Sequence, residues 1–222
     1  MTLPFQKISV AVDAAIFTIH AGEVKMLLIQ MKKKPYIEQW AMPGGLIEKD
    51  ETSEQAARRI LLCQTGVKGV YLEQLATFDD PKRDAAGRVL SVAYIALVPS
   101  ASVHLQTTDK YTDIRWWSVS RLPKLAYDHR SMAKVALDRL RAKVGYTNIV
   151  WSILPLTFSL SELQRVYEII LGEPMDKRNF RKKIFSLALI EKTGQKREGE
   201  AHRPAALYQF KKRQLEYVDL FS

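Results

Sequence analysis

The sequence predicts an α+β protein of two domains: a mixed sheet with packed helices over residues 1–147, and a smaller domain of two helices and a hairpin over residues 148–222. Three observations predict it. Up to Gly145, strand-like runs and two amphipathic helices follow in the order β-β-α-β-β-β-α. After Gly145 the pattern changes to helix, short turn, helix, hairpin. A hydrophobic content of 47% in 222 residues is enough to bury sizeable cores and too high for global disorder.

The elements follow in order. "KISVAVDAAIFTIH" (7–20) and "VKMLLIQM" (24–31) are apolar strand runs joined by the short turn "AGE", which predicts a hairpin. "KKKPYIEQWAMPGG" reads as a loop with a short strand near Trp40–Met42. Residues 53–65 read as an amphipathic helix closed by Gly66. "VYLEQLATF" and "RVLSVAYIALVP" are two more strands around the polar loop "DDPKRDAAG", and "DIRWWSV" (113–119) is a further short one. On that strand Trp116 and Trp117 alternate faces, one toward the core. A helix over about 129–144 has its apolar face at Met132, Val135, Ala136, Leu140 and Val144, with Asp128 and His129 expected to cap it.

In the second domain, "LSELQRVYEIILG" (160–172) is an amphipathic helix with Leu163, Val166, Tyr167 and Ile170 on one face. Ser159 or Ser161 can cap it, and Gly172-Glu-Pro174 stops it. "MDKRNFRKKIFSLALI" is a second helix with Asp176 as N-cap and Phe180, Ile184 and Leu187 as its buried face. "LIEKTGQ", a polar tip and "ALYQFKK" complete a hairpin, and the whole describes a winged helix-turn-helix.

Composition narrows the function classes. No run reaches eighteen apolar residues, so no transmembrane helix is expected. "MTLPFQKISV" has no basic segment followed by an apolar run, so no secretory signal is expected. The lone cysteine, Cys63, excludes an internal disulfide and fits a cytoplasmic protein. A net charge of +10 favours anionic partners: nucleic acid, nucleotides or acidic lipids.

"GGLIEKDETSEQAARRILLCQTGV" (44–67) carries the most information. It resembles the Nudix box, G-x5-E-x7-R-E-U-x-E-E-x-G-U with U a bulky aliphatic residue: Gly45, Glu51, Arg59, Leu61, Gly66 and Val67 match in register. The remaining glutamate positions hold Ile60, Cys63 and Gln64. Carboxylates at i, i+3 and i+4 would converge on one helix face and hold a divalent cation against a pyrophosphate. Ile60 has no ligand atom, Gln64 has one neutral oxygen, and Cys63 is a soft ligand for a hard cation. The box therefore keeps its loop-helix shape without metal or hydrolytic competence. No catalytic residue, metal or cofactor is expected.

"YIEQWAMPGG", "LEQLATFDDPKRDAAGRVLSVAYIALVP" and "LAYDHRSM" extend the likeness, and "HRPAALYQF" is similar to the wing of the Nudix-related transcriptional regulators, best known as repressors of NAD metabolism. The resemblance covers nearly the entire chain. It implies a Nudix-like effector-sensing domain at 1–147, a winged helix-turn-helix DNA-binding domain at 148–222, and a homodimer on double-stranded operator DNA. It also implies a small-molecule effector, ADP-ribose or a related nucleotide or sugar phosphate. A divergent hydrolase of nucleoside diphosphate derivatives is the alternative. For the effector, the Gly44-Gly45 turn offers backbone N–H groups, Arg83 and Arg88 offer forked donors to phosphate, and Tyr36 and Trp40 offer rings to stack on adenine or line a sugar pocket. Arg59 reads as a structural partner of Glu51. For DNA, Lys177, Arg178, Arg181 and Lys182 project from the first turns of the second helix, and Asn179 can pair with adenine. Lys196, Arg197 and Arg203 at the hairpin tip can reach phosphates or a minor groove.

Overall fold

The computed structural model describes residues 7–69, 71–99, 103, 105, 110–197 and 205–220. Contacts divide the chain into two compact units, and the second begins at Asp138, within a helix rather than after it. The β1–β2 turn, residues 18–24, groups with the second unit.

The first unit is built on a mixed sheet. Its strands are β1 (Ser9–His20), β2 (Glu23–Met31), β3 (Trp40–Ala41), β4 (Gly44–Leu46), β5 (Tyr71–Phe78), β6 (Val89–Leu97) and β7 (Tyr111–Ser118). The order is β3-β2-β1-β6-β5, with β4 also on β1 and β7 also on β2. β1 is central. It runs parallel to β6 from Ser9↔Val89 to Phe17↔Leu97, and antiparallel to β4 with Asp13 opposite Gly44. Its run of eight buried residues is what a strand covered on both faces requires. α1 (Ser53–Thr65) lies between β4 and β5. Thr52 and Gln55 form a capping box at its start, and Gly66 ends it in the left-handed region at φ 68. Ala56, Ala57, Ile60 and Leu61 pack it into a core with Val12, Ile16 and Leu27.

α2 (His129–Tyr146) buries Met132, Ala136, Leu140 and Val144 as its spacing predicts. Val135 departs from the expected face and is 37% exposed. The Asp128 backbone carbonyl accepts the Ser131 and Met132 N–H groups at the start of the helix, and its carboxylate accepts from Arg83. Trp117 sits edge-on against Trp40 at 5.2 Å, and Trp116 packs partly against the core.

The second unit contains a 3-10 turn (Ile149–Ser152), β8 (Phe158–Ser159), α3 (Leu160–Leu171), α4 (Lys177–Ser186), β9 (Ile190–Arg197) and β10 (Ala205–Phe210). β8, which sequence periodicity is too short to reveal, joins β10 and β9 in a three-stranded sheet. Ser159 caps α3 through a box with Glu162, and Gly172 closes it. The core joins Tyr167 edge-on to Phe180 at 5.6 Å and Phe158 to Phe210 at 5.2 Å. α4 ends at Ser186, so Leu187 lies outside the helix and is half-buried, whereas Phe180 and Ile184 are buried. No helix of the described residues is long and apolar enough to cross a membrane.

Candidate effector cleft and nucleic-acid interface

The first unit holds a cleft of about 560 Å³. Alternate residues of β1 lie along it: Lys7 just before the strand, then Ser9, Ala11 and Asp13. Gly44 and Gly45 of β4 line it, as do Arg83 and Arg88 of the β5–β6 loop. Tyr111, Tyr127 and His129 also line it.

Asp13 organises the polar part of the lining. It is a buried carboxylate in an otherwise apolar strand, a placement that demands partners. One oxygen accepts from Ser91 Oγ at 2.6 Å and Arg83 Nη2 at 3.2 Å; the other lies 3.4 Å from His129 Nε2. Burial raises the Asp13 pKa, but His129, the Ser91 hydroxyl and the Arg83 guanidinium outweigh it and hold it below the ordinary value. His129 Nδ1 accepts the Met42 backbone N–H at 2.9 Å, which orients the ring with Nε2 facing Asp13. The Tyr127 ring packs on His129 at 5.0 Å, tilted by 38°, and burial, then Asp84 and neighbouring groups, push its pKa up to about 12. Gly44 has no space for a side chain: a Cβ there would sit 2.1 Å from Asp13 Oδ1 and 2.9 Å from the Val12 carbonyl oxygen.

Several sequence expectations change here. Arg83 lines the cleft, but its guanidinium bridges Asp13 and Asp128, and its side chain is only 3% exposed. The buried Asp13 carboxylate and the partly buried Asp128 carboxylate occupy the forked donor expected for phosphate. Arg88 lines the cleft and donates to the Asp79 carbonyl oxygen at 2.6 Å. Tyr36 stands behind the lining: its ring packs on Tyr127 at 4.1 Å, and its hydroxyl accepts the Ala85 N–H. Trp40 is buried against Trp117, with Arg115 over its ring at 5.1 Å, outside the cleft lining. Sequence reasoning missed Asp13 and Tyr127, and rated His129 a cap. The signals were an acid inside "VAVDAAIF" and the "YDH" run ahead of α2.

The box helix has a structural ion pair: Arg59 Nε donates to Glu51 at 2.9 Å. The Arg59 hydrogen bond, then the Glu48 backbone N–H, lowers the Glu51 pKa to about 2. Positions 60, 63 and 64 do not converge on one solvent-facing spot as the spacing suggests. Ile60 and Gln64 are buried, while Cys63 is exposed. The Gln64 Oε1 has no hydrogen-bond partner. These residues do not fit a hard divalent cation. Among the described residues no group of three or more His, Cys, Asp or Glu side chains could hold one.

In the second unit, Asp176 Oδ1 accepts the Asn179 N–H at 2.7 Å and starts α4. With Phe180 and Ile184 facing inward, Lys177, Arg178, Asn179, Arg181 and Lys182 are all exposed. That is a basic, solvent-facing helix held by a packed partner, the arrangement that enters a major groove. Lys196 and Arg197 lie on β9, but their side chains, like Arg203 entirely, fall outside the described residues.

The chain matches the NUDIX domain family over residues 9–138 and the NrtR DNA-binding winged helix domain over residues 150–210. It is 37% identical over 203 residues to the "ADPR responsive transcriptional repressor NtrR" of Acinetobacter baylyi, covering 90% of this chain and 80% of the relative. The crystal structure of Shewanella oneidensis NrtR complexed with a 27mer DNA superposes with a TM-score of 0.81 at 37% identity, covering 91% of this chain and 93% of that one. The NUDIX domain of Shewanella oneidensis NrtR complexed with ADP ribose superposes with a TM-score of 0.55 at 35% identity, covering 61% of this chain and 90% of that one.

Proposed function

We propose a function from the premise that this chain belongs to the family joining a Nudix domain to an NrtR-type DNA-binding winged helix. It is an ADP-ribose-responsive transcriptional repressor that binds operator DNA through its winged helix. The observation that carries this reading is likeness along nearly the whole chain to NrtR in complex with DNA, together with likeness of its first unit to a Nudix domain holding ADP-ribose. The sensor occupies residues 1–147 and the DNA-binding domain residues 148–222.

The cleft supports the sensing half. Lys7 and Arg88 supply positive charge at one end, and the Gly44-Gly45 segment keeps the wall thin. The Asp13–His129 pair supplies a polar floor, with Arg83 as its brace. The protein works by binding, without turnover, because Ile60, Cys63 and Gln64 supply no carboxylate for a metal. α4 supports the reading half: Lys177, Arg178, Arg181 and Lys182 meet phosphates and base edges, and Asn179 is placed for an adenine. The protein acts as a homodimer, since two-fold operators mirror two-fold proteins.

Selection of genomic fragments on the immobilised protein, with and without ADP-ribose, tests the proposal. It recovers a shared, roughly palindromic duplex whose retention depends on the nucleotide. Fragments with no common sequence and no nucleotide dependence contradict it.

A further inference from the structure

The segment that follows β10, residues 211–220, lies beyond the span matching the winged-helix family. It is nonetheless fastened along its length within the second unit. A helix leaves its last carbonyl groups without partners, and these need donors from elsewhere. At the end of α2 this segment supplies them: Leu220 N–H donates to the Gly145 carbonyl at 3.1 Å and Val218 N–H to that of Tyr146 at 2.9 Å. Asn148, which follows, is nearly fully buried and bonds the segment both ways. Its side chain donates to the Gln214 carbonyl at 3.1 Å and accepts the Glu216 N–H at 2.8 Å. Arg213 donates to the carbonyl oxygens of Trp151, Leu154 and Pro155 and lies 5.6 Å over the Trp151 ring. Tyr217 stacks on Tyr146 with the rings 9° apart, and Lys143 Nζ lies within 6 Å of both ring centres, at 5.6 and 5.8 Å.

The far end of the segment reaches α4. Leu220 is 4% exposed and lines a cavity with Asn179, Phe180, Lys182 and Lys183. The near end is tied as well, since Lys211 N–H donates to the Leu189 carbonyl just after α4. One short segment therefore caps α2 and borders a cavity shared with the helix proposed to read DNA. α2 itself begins with His129, the residue paired with Asp13 in the cleft.

We propose that residues 211–220 are a positioning strap, through which occupancy of the cleft, acting on α2, alters the placement of α4. The inference rests on the proposed function, because it presupposes an effector and an operator. It assigns Val218 and Leu220 the role of fixing α4 against the end of α2.

The test is a comparison of Val218→Pro with Val218→Ala in the full chain. Proline removes the N–H that caps α2, and alanine keeps it. Three quantities are measured by calorimetry and fluorescence anisotropy: ADP-ribose affinity of the free protein, operator affinity without nucleotide, and the ratio of operator affinities with and without saturating ADP-ribose. The operator is the duplex selected by the wild-type protein. The expected result is that V218P keeps the first two within about threefold while its ratio collapses to under about twofold, and V218A keeps the wild-type ratio, of order tenfold or more. A V218P protein that retains the wild-type ratio overturns the strap. If V218P loses operator binding or folding, Leu220→Ala, which keeps every strap hydrogen bond, decides: a reduced ratio sustains the proposal and a wild-type ratio overturns it. A wild-type protein whose operator affinity ignores ADP-ribose overturns the proposed function and the strap's role with it, whereas a wild-type response that both variants retain overturns the strap alone.

Discussion

Arg83→Met separates the two roles an arginine in this cleft can have. The methionine keeps most of the apolar stem and removes the guanidinium. Arg83 joins Asp13 and Asp128, whose side chains are 10% and 19% exposed. Removing the shared cation leaves two carboxylates in the wall with only the Ser91 and His129 contacts to Asp13 remaining. Breaking a buried pair by deleting one partner costs about 3–5 kcal/mol, and the partial exposure of Asp128 places this case near about 3 kcal/mol. For a unit of this size that is a fall in Tm of roughly 10 °C. Asp13→Asn in the same chain removes one stranded charge and recovers part of the loss, with a coupling of about 0.5–3 kcal/mol in the double-mutant cycle. The sign of the pH effect follows from Asp13. Its pKa is lowered on folding from the ordinary 3.8, so its contribution is complete above that value and is lost as the pH falls below it. The variant therefore loses stability at neutral pH and shows a flatter acid limb. Urea and thermal unfolding, with ADP-ribose calorimetry alongside, read both effects. A variant within about 1 kcal/mol of wild type in stability, yet at least tenfold weaker for ADP-ribose, would show a free phosphate donor of the kind worth about 1.5–3 kcal/mol, and would refute the brace.

Four further outcomes are expected. Gly44→Ala drives a methyl group into Asp13 Oδ1 and the Val12 carbonyl oxygen, so ADP-ribose affinity falls and stability drops by about 1–3 kcal/mol; unchanged calorimetry would contradict this. Arg178→Ala or Arg181→Ala weakens operator binding while leaving the thermal transition of the first unit in place, and each lost phosphate contact flattens the salt slope by about one unit. The Glu51–Arg59 pair, with Glu51 lowered from 4.5 to about 2, supports the box loop above pH 4.5 and releases it as the pH falls toward 2, so Arg59→Met narrows the stability difference between neutral and acid pH in urea melts. Asp176→Ala removes the cap that accepts the Asn179 N–H and costs about 1 kcal/mol, visible as a lower midpoint for the second unit.

The fold was legible where local periodicity and end signals agree. Residues 53–65 carry an apolar stripe and a terminal glycine, and Asp176 stands ahead of a basic run with Phe180 and Ile184 at helical spacing; both helices form there. β8 was invisible because two residues have no period, and it exists only through pairing with β10. The site was harder to read because its chemistry is assembled across distant segments. Asp13, Arg83 and His129 meet only when β1, the β5–β6 loop and α2 fold together. Arg83, between Lys82 and Asp84 in a polar loop, gave no sign in sequence that two carboxylates would claim it. Trp40 is equally ambiguous in sequence, since an aromatic ring suits a ligand or a core, and Trp117 decides for the core. The strap carries no periodic signal, as its bonds are made by irregular backbone.

The central claim is that one chain binds operator DNA and changes its grip when intact ADP-ribose occupies the Nudix cleft. The most direct measurement is a titration of ADP-ribose, with Mg²⁺ present, into the wild-type protein on its fluorescently labelled operator, followed by recovery of the nucleotide. The account predicts a saturable change in anisotropy corresponding to at least about a fivefold shift in operator affinity, with the ADP-ribose recovered unhydrolysed. Flat anisotropy up to millimolar nucleotide, or a response that develops only as ADP-ribose is cleaved at a rate near about one per second, would contradict it.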